Sequence, residues 1–290
     1  MIFEKIIIIG DGTIALEITK ILSTYNPIVL SYKPHALSIL QIFCKKSHIS
    51  YHNFNENIAI TDFLDTFNKK TLIISANNSY IFPNKIIDKP QMKIINFHNA
   101  LLPLYKGVNA PIWSIYNQDK VSGITWHMVS SELDSGDIIS QSEFELTSHI
   151  KAIELIKILM QLGIHSFLSF KEDLLKDTLK LKKMPLSCAP INKAKDLPNG
   201  GFLDINWSED KISAFLRSMD AGGVIPKPKI LISAIEHLIE SYEFGGKSHM
   251  TNSLVLSKNN ISMILKPNGG GGSNKSCNNL LNFFENQRCA

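Results

Sequence analysis

The sequence predicts an α/β protein: a doubly wound, mostly parallel sheet, followed by a smaller β-rich domain. Three observations carry this. Short, continuous apolar runs such as 6–9 and 71–75 read as strands covered on both faces, as in a parallel sheet. Strand and helix signals alternate through the first half of the chain. Prolines and glycines then accumulate over 182–201, where the helical pattern stops.

The elements follow in order. Residues 6–9 are all isoleucine and end in Gly10-Asp11-Gly12-Thr13-Ile14-Ala15. Ile14, Ile18 and Ile21/Leu22 then recur at helical spacing to about Ser23. A G-x-G-x-x-A turn opening a helix can receive a phosphate. A dinucleotide site would also need an acid near the end of the next strand, and 27–33 offers none. The glycines therefore read as a tight strand-to-helix turn rather than a nicotinamide site. Helices are expected at 36–46 and 60–68, and strands at 50–53 and 71–75. A strand at 93–98 precedes a loop with Pro103 and Gly107, then a helix at 110–117 carrying Trp113. Strands at 123–129 and 138–146 lead to a long helix over 149–180, where Ile153, Ile156, Met160, Ile164 and Phe167 mark the apolar stripe.

The first domain is set at 1–184, a linker at 185–200, and the small domain with its tail at 201–290. In the small domain Ser208 caps a helix over 209–218, and 229–235 and 253–265 read as strands of a barrel-like module. Residues 269–272 read as a flexible spacer, and 280–284 as a last docking helix.

Composition is that of an ordinary globular protein, with 44% apolar and 19% charged residues. A net charge of +4 neither demands nor excludes a polyanionic partner. Cys44, Cys188, Cys277 and Cys289 form no C-x-x-C pair, so free thiols in a reducing compartment are expected. The opening apolar run is too short for a signal peptide, and no segment is expected to approach a membrane-spanning length. A cytoplasmic protein is expected. His48 and His52 lie four apart, but on a loop and without the Glu that a two-histidine zinc motif needs. No metal site is expected.

The candidate chemistry lies between residues 93 and 141. Side chains alternate along a strand, so Asn96 and His98 share a face. Two polar groups at the end of an apolar strand are costly to bury without partners. The loop 130–137 is crowded with carboxylates, including Asp134. An amide, an imidazole and a carboxylate at strand ends suit a reaction centre. His127, next to Trp126, reads as a core or pocket-wall residue, and Asp137 as a loop residue. Tyr105 and Lys106 sit in a loop where contact with substrate and plain solvation are equally expected.

Across this stretch N-F-H-N-A-L-L-P-x-x-x-G, G-I-T-W-H-M-V and E-L-D-S-G-D-I-I-x-Q resemble the 10-formyltetrahydrofolate-dependent formyltransferases. The resemblance implies a Rossmann-like catalytic domain, one-carbon chemistry with 10-formyltetrahydrofolate as donor, and no metal. It places the catalytic residues on Asn96, His98 and Asp134. It also puts the loop after the 71–75 strand, Asn77, Asn78, Ser79, Tyr80 and Ile81, against the pteridine, together with Leu133. His98 is expected to stabilise an oxyanion or move a proton, and Asp134 to favour its imidazolium.

The acceptor is less determined. The family's tRNA enzymes carry an Arg-rich insertion after an early strand, whereas 31–50 holds Lys33, Lys45 and Lys46 and no arginine. That makes tRNA the weaker expectation. Residues 201–265 argue against a glycinamide ribonucleotide enzyme, which generally ends with its catalytic domain. An amino acid or carrier-linked amine, the reading favoured by G-V-N-A-P-I-W-S-I, and an amino sugar on a nucleotide both remain. An inactive folate-binding relative and a nicotinamide-dependent oxidoreductase are the alternatives from other classes. Oligomeric state is left open.

Overall fold

The computed structural model describes residues 2–34, 38–187, 189–244, 254–258 and 261–267. The tail readings at 269–272 and 280–284 lie outside these. The chain divides into two compact units: Met1–Pro111, Asp119–Ser148 and Glu154–Ala194 in the first, and Ile112–Gln118, His149–Ile153 and Lys195–Ala290 in the second.

The first unit opens with β1 (Lys5–Gly10), α1 (Gly12–Ile21), β2 (Ile28–Tyr32), α2 (Ile39–Lys46), β3 (Tyr51–Phe54) and α3 (Asn57–Asp65). It continues with β4 (Thr71–Ala76), α4 (Asn84–Ile87) and β5 (Met92–His98), and α5 (Ala110–Tyr116) starts at its boundary. β6 (Val121–Met128), β7 (Ile138–Glu145) and most of α6 (Ala152–Lys176) complete it. The sheet order is β3-β2-β1-β4-β5-β6-β7. β1 to β5 are parallel, and β6 and β7 run antiparallel at one edge. Ile7, Ile8 and Ile9 on β1 and Leu72, Ile73 and Ile74 on β4 are fully buried, as strands covered on both faces must be.

The chain moves to one side of β1 for β2 and β3, then returns to its other side for β4. This is the switch point at which such sheets bind ligands, beyond the carboxyl ends of the strands. Gly10 pairs there with Ala76, and a Cβ on Gly10 would fall 1.9 Å from the Ala76 carbonyl oxygen. Close approach to β4 is what this glycine serves.

α6 corrects the expectation that nothing approaches membrane-spanning length. It has 25 residues and is long and apolar enough to cross a membrane by length and composition. Packing accounts for part of that composition. Leu155, Leu159, Phe167, Phe170, Leu174 and Leu175 are buried, and Trp126 Nε1 donates to Gly163 O at 2.9 Å. A Cβ on Gly163 would meet the Phe97 ring at 2.3 Å, so the glycine lets α6 lie against β5.

The second unit holds β8 (Phe202–Leu203), α7 (Glu209–Met219), β9 (Lys229–Ile232), β10 (Ile235–Phe244), β11 (Leu254–Lys258) and β12 (Ile261–Pro267). Its sheet runs β11-β12-β10-β9-β8. The Ser208 hydroxyl caps α7, which buries Ile212, Phe215, Leu216 and Met219 against Ile230, Ile239 and Met263. The 253–265 reading resolves into two strands, and β10 was not foreseen. β9 and β10 turn on Ser233 and Ala234, with φ of 49° and 66°. That is the conformation asparagine and glycine usually announce.

The Pro-rich stretch is held by the first unit as far as Ala194. Lys182 bridges to Ile138 and Asn192 to Gly107.

Candidate active site

β5 and β6 pair antiparallel, with Asn96 opposite His127 and His98 opposite Thr125. Directly paired residues project from the same face. Phe97 and Trp126 therefore point towards α6, while Asn96, His98 and His127 gather on the other face. Sequence reasoning left His127 out of the reacting set. The alternation that buries Trp126 was visible in the sequence, but its pairing with β5 was not.

Asp134 reaches this group from the loop after β6, at a φ of 50°. Its side chain is 6% exposed, and its Oδ2 accepts from the Gly107 N–H at 2.7 Å. Oδ2 lies 3.6 Å from His98 Nδ1, and Oδ1 lies 3.6 Å from His127 Nε2. Both separations exceed a hydrogen bond. The Gly136 position, where a Cβ would sit 1.8 Å from Met128 O, keeps this loop folded back on β6.

The backbone sets both imidazole tautomers. His98 Nε2 is 2.8 Å from the Tyr105 carbonyl, and His127 Nδ1 is 2.8 Å from the Met128 carbonyl. A carbonyl only accepts, so these nitrogens carry the protons. In neutral rings the lone pairs then sit on His98 Nδ1 and His127 Nε2, the two atoms facing Asp134. Asn96 Nδ2 donates to His127 Nε2 at 3.1 Å.

Burial pushes the His98 pKa below its ordinary value. The nearby Asp134 charge and the Tyr105 hydrogen bond oppose this and are outweighed. Asp134 does favour the imidazolium, as expected, but burial outweighs it and His98 rests as a free base at neutral pH. Burial alone would raise the Asp134 pKa. The neighbouring His127 and His98 imidazoles and the Gly107 N–H outweigh it and bring the carboxyl down to about 2. At neutral pH the Asp134 carboxylate thus faces the His98 Nδ1 lone pair, while the His127 Nε2 lone pair takes the Asn96 N–H. No protein donor lies between Asp134 and His98 Nδ1.

The loop after β5 is braced for this. Gln141 Nε2 donates to Leu102 O and Thr125 Oγ1, and Thr125 Oγ1 donates to Ala100 O. Lys106 is buried rather than solvated: its Nζ donates to Ser135 Oγ at 2.6 Å and pairs with Glu132 at 3.3 Å. Lys106 and Gly107 together grip the loop on both sides of Asp134. Tyr105 donates its hydroxyl to Asp119 at 2.6 Å. Asp137 is paired with Lys183 at 2.9 Å.

Ser75 lies opposite Asn96, so the 77–81 loop leaves the sheet beside β5. Asn77, at a φ of 56°, donates to Asp11 O. The Asn78 side chain bonds both the N–H and the carbonyl of Tyr80, whose ring is buried with its hydroxyl on Thr61. Ser79 is exposed, and Ile81 and Leu133 present apolar surface. Asp11 Oδ1 accepts from Gly12 N at 2.8 Å and Ser38 Oγ at 2.7 Å, so a carboxylate already occupies the N-terminus of α1. His52 bonds Ser50 and packs on Phe63, and His48 is in a turn. Among the described residues no His, Cys, Asp and Glu group is arranged to hold a metal.

The model of the formyl transferase family matches residues 31–164. A methionyl-tRNA formyltransferase of Fusobacterium nucleatum is 30% identical over 259 residues, covering 82% of this chain and 79% of that protein. The chain belongs to the formyltransferase family. A GDP-perosamine N-formyltransferase of Brucella melitensis is 28% identical over 152 residues, or 51% of this chain. The chain spans about half the length of that relative, 56%. The crystal structure of WlaRD, a sugar 3N-formyl transferase with dTDP and 5-N-formyl-THF, aligns with a TM-score of 0.69 at 19% identity. It covers 92% of this chain and 98% of that one, which shows the fold. The family's three sequence blocks fall on β5, β6 and the Asp134 loop, the segments that build the centre.

Proposed function

We propose that the protein moves a formyl group from 10-formyltetrahydrofolate to a primary amine. The observation that carries this is the Asp134 carboxylate facing His98 Nδ1 with no donor between them, beside the Asn96 amide that His127 holds. An amine that has attacked a carbonyl becomes an ammonium with protons to lose, and these two acceptors suit it. Asn96 spends one amide hydrogen on His127 and keeps a second for the formyl oxygen as charge develops there. His98 Nδ1 receives the proton with Asp134 beside it. As the new C–N bond forms and the old one breaks, His98 returns that proton to the departing folate nitrogen. The products are the N-formyl amine and tetrahydrofolate. Ile81 and Leu133 supply apolar surface for the donor's rings, beside the 77–81 loop.

The acceptor class we propose is an amino sugar carried on a nucleotide. The Brucella relative and WlaRD, both named for sugar substrates, support it over the amino-acid reading favoured by the sequence alone. The longer alignment to the Fusobacterium enzyme supports methionyl-tRNA as the second reading. A cytoplasmic setting accords with Cys44, which is buried and free.

The test is calorimetric titration with a stable 10-formyltetrahydrofolate analogue, with NAD as control. A screen of dTDP- and GDP-amino sugars, amino acids and methionyl-tRNA as acceptors follows, read by mass spectrometry. A folded protein that ignores the folate analogue overturns the reading. The pH profile gives a second check. Because burial lowers the His98 pKa, the acid limb of kcat is expected below about 6.5, the ordinary imidazole value. An acid limb at or above that value would show that His98 does not act as a buried free base.

A further inference from the structure

We propose that His127 is a positioning residue that sets which way the Asn96 amide faces. This rests on the formyl-transfer reading for its consequence but not for its geometry. The two ends of a carboxamide have the same shape, so packing alone does not choose between them. A neighbour with fixed hydrogen-bond polarity can choose. His127 is such a neighbour. It is 2% exposed, and its Nδ1 proton is committed to Met128 O at 2.8 Å. The remaining nitrogen, Nε2, is an acceptor and stands 3.1 Å from Asn96 Nδ2.

With the amide turned as it is, an N–H meets a lone pair. Turned over, the amide oxygen would face that lone pair, and the donor needed by a developing oxyanion would leave the centre. Among the described residues His127 is the hydrogen-bond partner of the Asn96 side chain. The chain of control therefore runs from a backbone carbonyl on β6, through the tautomer of His127, to the donor on β5. The other charged or titratable groups around His127 are Asp134, with Oδ1 at 3.6 Å, and His98 beyond it. Neither offers a donor to Nε2.

Two measurements test this. Nitrogen-15 NMR of the full chain, without substrate, is expected to show neutral His127 protonated at Nδ1. The Asn96 side-chain amide resonances are expected to shift in H127A. His127 protonated at Nε2 alone would overturn the proposal, whatever the protein catalyses. In kinetics, H127A is expected to lower kcat roughly 10- to 100-fold with little change in donor KM, part of what losing an oxyanion donor costs. H127Q, whose carboxamide can accept the Asn96 N–H but can also turn over, should recover only part of that loss. In an N96A background the same H127A change should cost less than about 3-fold, since the group it acts through is gone. Equal losses in both backgrounds would overturn the proposal and assign His127 to Asp134 instead. If the wild-type protein transfers no formyl group, the functional reading fails while the NMR result still decides this one.

Discussion

Asp134→Asn will lower kcat roughly 10²- to 10⁴-fold, the range expected when a proton-transfer partner is lost, and will leave the protein folded. The change is nearly isosteric, and its oxygen keeps the 2.7 Å bond from Gly107 N. Its N–H₂ would then take the place of Oδ1, which faces His127 Nε2 at 3.6 Å in the wild type. A buried charge is removed while the Gly107 bond is kept, so loss of stability at neutral pH should stay under about 2 kcal/mol. The acid side separates the two proteins further. A carboxyl brought down to about 2 contributes stability above its unfolded value of 3.8, and loses it as pH falls towards 2. The Asn variant lacks that loss, so its melting temperature should fall less steeply than the wild type's over this window. Thermal melts from pH 2 to 7 and steady-state kinetics at neutral pH decide it. Retained turnover would remove Asp134 from the reaction, and failure to fold would make its role structural.

What the sequence revealed and what it hid follow from where the information lies. β1 and β4 were legible because a strand covered on both faces must be apolar throughout, and Ile7, Ile8 and Ile73 show no exposed surface. β10 was hidden because Ser233 and Ala234 hold left-handed conformations without the residues that usually mark them. α4 spans four residues, too few for a periodic pattern. Asn96, His98 and Asp134 were legible through the family's three blocks. His127 required the register between β5 and β6, a property of the pairing rather than of either strand alone. The net His98 charge state was hidden for a similar reason. A nearby acid can be read from the sequence, whereas the depth of burial that outweighs it cannot. Lys106 looked like a loop lysine until the fold placed Ser135 and Glu132 against it.

Gly107→Ala is expected to damage both stability and activity in the first unit, with a control in the second. Gly107 has a φ of 89°, and Gly223 has 88°. An alanine at either position meets the same left-handed strain, about 1–2 kcal/mol. Their surroundings differ. A Cβ at Gly223 meets nothing within 4 Å, while one at Gly107 would lie 2.2 Å from Asn192 O and 3.0 Å from Asn192 N. Both of those atoms are backbone. Their bonds to Val108 N and Lys106 O hold the 106–108 segment in place. Forcing them apart should add roughly 1–3 kcal/mol, the usual cost of overpacking. G107A is therefore expected to lose about 2–5 kcal/mol in chemical denaturation, and G223A about 1–2. Activity should separate them more sharply. The Gly107 N–H positions Asp134, and the Tyr105 carbonyl two residues earlier positions His98. A shift of about 1 Å in that loop can cost on the order of 10²-fold in rate, whereas G223A should turn over within about 2-fold of wild type. Equal stability losses in the two variants would mean that the 192 segment yields at little cost. The loop would then be held by the sheet beneath it rather than by this contact.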